Sequence, residues 1–353
     1  MTRLLLVSDA WHPQINGVVR TLERILEELA TLGIETGTLT PAEYRTIPCP
    51  TYPEIRLALT SFRAVRRKID HLAPDYVHIA TEGPLGLMVR NWCMHRGKRF
   101  TTSYHTRFPE YLAARLPVPL SLSYAWMRWF HNGANGIMVA TPTLERDLKT
   151  RGFRNLMRWS RGVDQAQFRP DQPPALTDLP RPIFGYVGRV AVEKNLDAFL
   201  SLDLPGSKVV VGDGPALEDL RRRFPNVVFT GAKVGDELAR HYTSLDVFVF
   251  PSLTDTFGNV LVEALASGVP VAAFPVMGPL DVVDSHGVGF LDNDLRAAAL
   301  AALDVPRERC RTYAQRFTWR QSAREFLDNM VRAQGDGRPL PREEVDRIRA
   351  AAE

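Results

Sequence analysis

The chain has 353 residues, 45% hydrophobic and 24% charged, with a formal net charge of +4, a composition that excludes disordered and fibrous classes. That length fits two domains of roughly 150 residues, each able to bury a core. The three cysteines, Cys49, Cys93 and Cys310, are scattered without CxxC or Cys/His spacing, which argues against zinc and against a disulfide framework.

In chain order, the first apolar run, LLLV at 4–7, is far short of a signal-peptide core, and no later run reaches the roughly 18 residues of a membrane span. The expected location is therefore cytoplasmic. RLLLVS, YVHIA, RFTTSYH and GIMVA read as short strands alternating with helical patterns, and IFGYVG, KVVVG, NVVFTG, DVFVFPS and VPVAAF repeat the alternation. Two parallel, doubly wound sheets follow. Between them RPDQPPALTDLPRP, residues 169–182, carries five prolines and reads as an extended linker. The predicted organisation is a domain at 1–170, a linker at 171–182, a second domain at 183–316, and a helix and tail at 317–353 that pack back toward the first domain, with Phe317, Phe326 and Met330 available for packing.

Charge is uneven. Lys and Arg outnumber Asp and Glu by 23 to 16 in residues 1–180 and are outnumbered by 21 to 24 in the rest. A basic first half suits an anionic membrane, a nucleic acid or a phosphorylated ligand. In SFRAVRRKIDHL, residues 61–72, Phe62, Val65, Ile69 and Leu72 share one helical face, with Arg63, Arg66, Arg67 and Lys68 mostly elsewhere. That pattern fits a helix lying on anionic lipid and equally an ordinary helix with a solvated charged face. YLAARLPVPLSLSYAWMRWF adds Trp126, Trp129 and Phe130 as membrane or core aromatics.

In doubly wound sheets, ligands bind beyond the carboxyl ends of strands. IFGYVGRVAVEKN places Arg189 just after a strand and Lys194 near the next helix, two cations suited to a diphosphate beside helix-end amides. In KVVVGDGP, Gly212 and Gly214 flank Asp213, which either admits a ligand to the backbone or serves only a turn. TDTFGNVLVEALASG puts Asp255 in a turn and Asn259 and Glu263 on one helical face. A carboxylate there can accept from a vicinal diol, with the amides of Phe257, Gly258 and Asn259 aimed at a sugar or phosphate. The plainer alternative is a capped helix. Glu263, however, lies in the apolar run VLVEALA, where an unpaired carboxylate is costly. The single DxD, Asp292-Asn293-Asp294, reads as a solvated loop, and no metal site is expected.

GRVAVEKN, VGDGP and PSLTDTFGNVLVEALASGVPV, joined by HPQINGVVRT, SYHT and RGVDQAQFRP, resemble in order and spacing the GT4 family of retaining glycosyltransferases. The nearest resemblance is to lipid-modifying members such as sulfoquinovosyl and glycosyl-diacylglycerol synthases and GDP-mannose-dependent mannosyltransferases. The resemblance implies a GT-B fold, two Rossmann-like domains facing across a cleft. It implies that Arg189 and Lys194 bind the donor diphosphate, Glu263 the ribose, and the 255–259 turn the donor sugar. It further implies that Asn16 and Gly17 approach the phosphates and that His105 lies beside the reacting sugar. One departure stands out: the family pattern is Glu, seven residues, Glu, and the first position here is Asp255, one methylene shorter. The expected activity is metal-independent, retaining hexosyl transfer from a nucleotide sugar, a UDP-sugar or GDP-mannose, to a lipid acceptor, by an enzyme peripheral on the inner face of an anionic membrane, without cofactor or nucleic-acid partner. The alternatives are a transferase with a polysaccharide or small-glycoside acceptor, an epimerase, and a non-catalytic nucleotide-sugar-binding protein.

Overall fold

The computed structural model describes residues 2–14, 16–49, 52–113, 116–283 and 286–335. They divide into two compact units, Met1–Ser160 with Trp319–Glu353, and Arg161–Thr318. The first unit runs β1 (Arg3–Val7), α1 (Gly17–Thr31), β2 (Glu35–Leu39), β3 (Arg45–Cys49), β4 (Tyr52–Leu59), α2 (Phe62–Leu72), β5 (Tyr76–Ile79), α3 (Pro84–Arg96), β6 (Thr101–Ser103), α4 (Phe108–Ala113), α5 (Leu120–His131), β7 (Gly136–Val139), α6 (Pro142–Thr150) and β8 (Leu156–Arg158).

Its main sheet has the order β2-β1-β5-β6-β7-β8, all parallel, and β3 and β4 form a separate antiparallel pair. Leu5, Leu6 and Val7 of β1 are fully buried, as a central strand covered by helices on both faces requires. On one face Val65 and Ile69 of α2 join Val89 and Phe130; on the other Leu22, Ile25 and Leu29 of α1 join Trp159.

The second unit runs β9 (Ile183–Val187), α7 (Leu196–Leu200), β10 (Ser207–Val211), α8 (Leu217–Arg223), β11 (Val228–Gly231), α9 (Gly235–Ser244), β12 (Val247–Phe250), α10 (Asn259–Ala266), β13 (Val271–Ala273), α11 (Pro279–Val282), β14 (Gly289–Leu291), α12 (Leu295–Ala302) and α13 (Arg307–Ala314). Its parallel sheet has the order β11-β10-β9-β12-β13-β14. The winding reverses between β9 and β12, which places a ligand crevice beyond their carboxyl ends.

The units meet the chain at different points from the sequence-based boundaries. The second unit begins at Arg161 rather than after residue 170, because RGVDQAQFRP is fastened inside it. The Arg311 guanidinium of α13 donates to Gln165 Oε1 at 2.7 Å, to Phe168 O at 2.8 Å and to Ala266 O at 3.1 Å. Nor does the proline-rich segment hang free: the Ala175 and Leu176 amides donate to Ser244 Oγ at the end of α9 at 2.8 and 3.0 Å.

The chain then re-enters the first unit as α14 (Trp319–Ala333). Phe326 and Met330 are buried there with Trp159, whose indole nitrogen donates to Ser322 O at 3.1 Å. Phe317 stays in the second unit, edge-on to Phe257 at 6.2 Å. Among the described residues no helix is long and apolar enough to cross a membrane.

Candidate functional site

At the reversal point of the second sheet, two loops that are distant in sequence are tied together. Lys194 ends a short 3-10 turn after β9, and Asp255 lies in the loop after β12. Lys194 Nζ donates to Asp255 Oδ1 at 2.6 Å, with both side chains under one-fifth exposed. Asn195, held in the left-handed region with φ 54°, donates from Nδ2 to Pro251 O at 3.1 Å and fixes the same two loops. Asp255 therefore does not cap α10. It is the counter-charge of the proposed phosphate-binding lysine, and its second oxygen, Oδ2, is buried without a hydrogen-bond partner.

Arg189 sits on the same β9 loop, its guanidinium 3.7 Å from the almost fully buried Glu193 carboxylate. Gly258 precedes α10 at φ 84° and gives the helix no capping side chain, so the helix start at Asn259 is presented by backbone alone. Phe257 puts its ring inward against Phe317 and leaves its main chain on the loop.

Glu263 lies one turn further along α10 and is 8% exposed amid Leu261, Val262, Ala264 and Leu265. Its Oε2 accepts from the Tyr242 hydroxyl at 2.8 Å. That contact answers the cost of placing a carboxylate in an apolar run.

Gly212 and Gly214 are glycine for a reason inside the protein. A Cβ at Gly212 would lie 1.8 Å from Gly188 O, and one at Gly214 would lie 2.3 Å from Val190 O. The β10 loop thus lies flat on the β9 loop, with Val190 N donating to Asp213 O at 2.9 Å. Asp294, of the DxD sequence, caps α12 by accepting from the Arg296 and Ala297 amides at 3.0 and 3.1 Å. Among the described residues no group of three His, Cys, Asp or Glu side chains could hold a metal ion.

The remaining predicted residues belong to the first unit. Asn16 is the N-cap of α1, its Oδ1 accepting from the Val18 and Val19 amides at 3.0 Å, with Gly17 as the first helical residue. His105 follows β6 by two residues, half-buried, with its ring edge-on to Trp159 at 5.7 Å.

Sequence reasoning passed over a polar constellation at the carboxyl ends of β1 and β5. Asp9 accepts from the Leu85 and Gly86 amides at 2.9 and 3.1 Å and so caps α3, and burial pushes its carboxyl up to about 6 despite those amides. Glu82 Oε1 shares a hydrogen bond with His131 Nε2 at 2.9 Å, and His131 Nδ1 meets Thr102 Oγ1 at 2.9 Å. TEGPLG, an acid in a strand-to-helix turn, was the available signal for Glu82. For Tyr242 there was none.

Residues 15–167 match Glycosyltransferase Family 4, and residues 181–305 match Glycosyl transferases group 1. A GDP-mannose-dependent alpha-mannosyltransferase of Mycobacterium tuberculosis is 31% identical over 82% of this chain and 83% of its own length. This chain belongs to glycosyltransferase family 4. It is also 30% identical to sulfoquinovosyl transferase SQD2 of Arabidopsis thaliana, over 82% of this chain and 63% of that one. An alpha-monoglucosyldiacylglycerol synthase of Streptococcus pneumoniae is 26% identical over 85% and 78%. Among solved structures, sucrose-phosphate synthase of Thermosynechococcus elongatus superposes with a TM-score of 0.76 at 21% identity, covering 93% of this chain and 98% of that one. The fold of this glycosyltransferase is accordingly GT-B, with two Rossmann-like units.

The four predicted membrane-contact residues lie on α2, where Arg63, Arg66 and Arg67 are exposed and Lys68 pairs with Glu43. The apolar face of α2 is spent inside the unit: Val65 and Ile69 are buried, and only Phe62, 43% exposed, faces outward. Exposed apolar surface lies instead on α5, where Leu122, Trp126 and Trp129 recur at helical spacing with 64%, 36% and 51% exposure. Phe130, by contrast, is core.

Proposed function

We propose that this glycosyltransferase moves a hexosyl group from a nucleoside-diphosphate sugar to a membrane lipid such as diacylglycerol or a glycolipid, with retention of configuration and without a metal ion. The Lys194–Asp255 pair at the sheet's reversal point carries the donor half of this reading. The Asp255 carboxylate anchors the Lys194 ammonium and so fixes the place from which its charge and N–H groups meet a diphosphate. As the sugar–phosphate bond breaks, negative charge grows on the departing diphosphate, and Arg189 and Lys194 stabilise it from fixed positions. That is the work a divalent cation does elsewhere, so chelation by EDTA is expected to leave turnover unchanged. Glu263 receives the ribose hydroxyls, and Asp255 with the Phe257–Asn259 main chain receives the sugar. His105 and the Asn16–Gly17 turn act from the first unit. The acceptor hydroxyl attacks from the face the diphosphate leaves, and a phosphate oxygen takes its proton.

Support for a lipid acceptor comes from the alpha-monoglucosyldiacylglycerol synthase relative, the basic first half of the chain and the exposed stripe on α5. The buried face of α2 favours the second reading, a water-soluble acceptor. Radiolabelled transfer from UDP-glucose, UDP-glucuronate and GDP-mannose to diacylglycerol in anionic vesicles tests the proposal. Transfer that is lost in Arg189→Ala and Lys194→Ala agrees with it. Turnover only on water-soluble acceptors, with no vesicle binding at low salt, rejects the lipid assignment.

A further inference from the structure

Tyr242 belongs to no motif, yet it makes a side-chain contact to the buried carboxylate of α10. Its ring comes from α9, is 0% exposed, and is clamped edge-on by Phe168 at 5.6 Å and tilted against Phe248 at 6.0 Å. The clamp leaves the hydroxyl little freedom. Its proton goes to Glu263 Oε2 at 2.8 Å, since the alternative acceptor, Val260 O, is 3.5 Å away. A carboxylate offers about four lone-pair directions, and the Tyr242 hydroxyl pins one of them. The rest keep a fixed orientation, because a carboxylate held by a rigid donor cannot rotate about its last bond without breaking that hydrogen bond.

We propose that Tyr242 is a positioning residue, which holds Glu263 in the orientation that meets a ribose diol and so sets this enzyme's preference for ribonucleotides over 2′-deoxyribonucleotides. The inference rests on the reading of Glu263 as the ribose ligand. A tyrosine that merely filled the core would contribute through its ring, and phenylalanine would replace it without effect on that preference.

The test is calorimetric binding of UDP, 2′-deoxy-UDP, GDP and 2′-deoxy-GDP to the full chain, which needs neither sugar nor acceptor. The wild type is expected to prefer the ribo form, and Glu263→Gln to lose that preference. Tyr242→Phe, which keeps the ring, is expected to lose about tenfold in affinity for the ribo form, the worth of one well-placed hydrogen bond, and little for the deoxy form. In the Glu263→Gln background the same change should do nothing further. A Tyr242→Phe protein with the wild-type ribo-to-deoxy ratio overturns the positioning role. A Glu263→Gln protein that keeps the ratio overturns the ribose reading instead. Should Tyr242→Phe lower the melting temperature, Phe168→Leu, which loosens the ring and spares the hydroxyl, is expected to lose part of the same preference, and an unchanged ratio there also rejects the proposal.

Discussion

Asp255 is the residue at which the family pattern and this chain part. With one methylene fewer than glutamate, it reaches Lys194 at 2.6 Å and keeps its other oxygen buried. Its charge opposes that of an incoming diphosphate. Asp255→Ala is therefore expected to bind UDP or GDP several-fold more tightly by calorimetry while transferring sugar more slowly, because the affinity gained is not specific to the transition state. Asp9 gives a separate test in the first unit. Its carboxyl is raised from 3.8 to about 6, chiefly by burial, so the folded chain holds that proton more firmly than the unfolded chain. This stabilisation is complete below about pH 4 and lost as pH rises through 6, a change of about 3 kcal/mol. Urea unfolding of wild type and Asp9→Asn across that window should show the slope in the former and not from this group in the latter.

At the scale of elements, the proposed donor site depends on three loops lying against one another more than on any single side chain. The β10 loop rests on the β9 loop through Gly212, where φ is 152° and a Cβ would strike Gly188 O at 1.8 Å. The β9 loop is held to the β12 loop by Lys194 and Asn195. Gly212→Ala should destabilise the second unit by about 2–4 kcal/mol and abolish stabilisation by nucleotide. Gly231→Ala is the control: φ there is 75°, with nothing within 4 Å of the added methyl, so a penalty of about 1 kcal/mol with nucleotide binding intact is expected. Thermal melts with and without UDP or GDP distinguish the two.

At the scale of the whole molecule, the chain leaves the first unit at Ser160 and returns at Trp319, so the first unit is completed only by the C-terminal helix. Removing α14 would expose Leu4, Leu6, Leu22 and Trp159. Truncation before Trp319 is expected to yield aggregated chain, whereas Arg161–Thr318 expressed alone should remain folded and gain about 2.7 kcal/mol at a nucleotide concentration of 100 Kd. Chemical denaturation of that fragment with UDP and GDP reads the outcome.

The strands, the two-sheet architecture and the order of the loops were legible in the sequence, because β-branched runs and strand-to-helix turns are local signals. So were Arg189, Lys194, Asp255 and Glu263 as polar residues placed where a doubly wound sheet binds ligands. Their partners were not legible. That Asp255 meets Lys194 rather than capping α10 depends on β9 and β12 being neighbours, a consequence of strand order that no local pattern carries. The face of α2 that reads as lipid-facing is the same face that covers a sheet, since both surroundings select one apolar stripe. Glu263 reads as an anomaly in an apolar run until α9 brings the Tyr242 hydroxyl to it. The sequence determined which chemistry sits at each turn; the tertiary structure alone decided which turns meet, because contact between residues far apart in the chain is set by sheet order and packing.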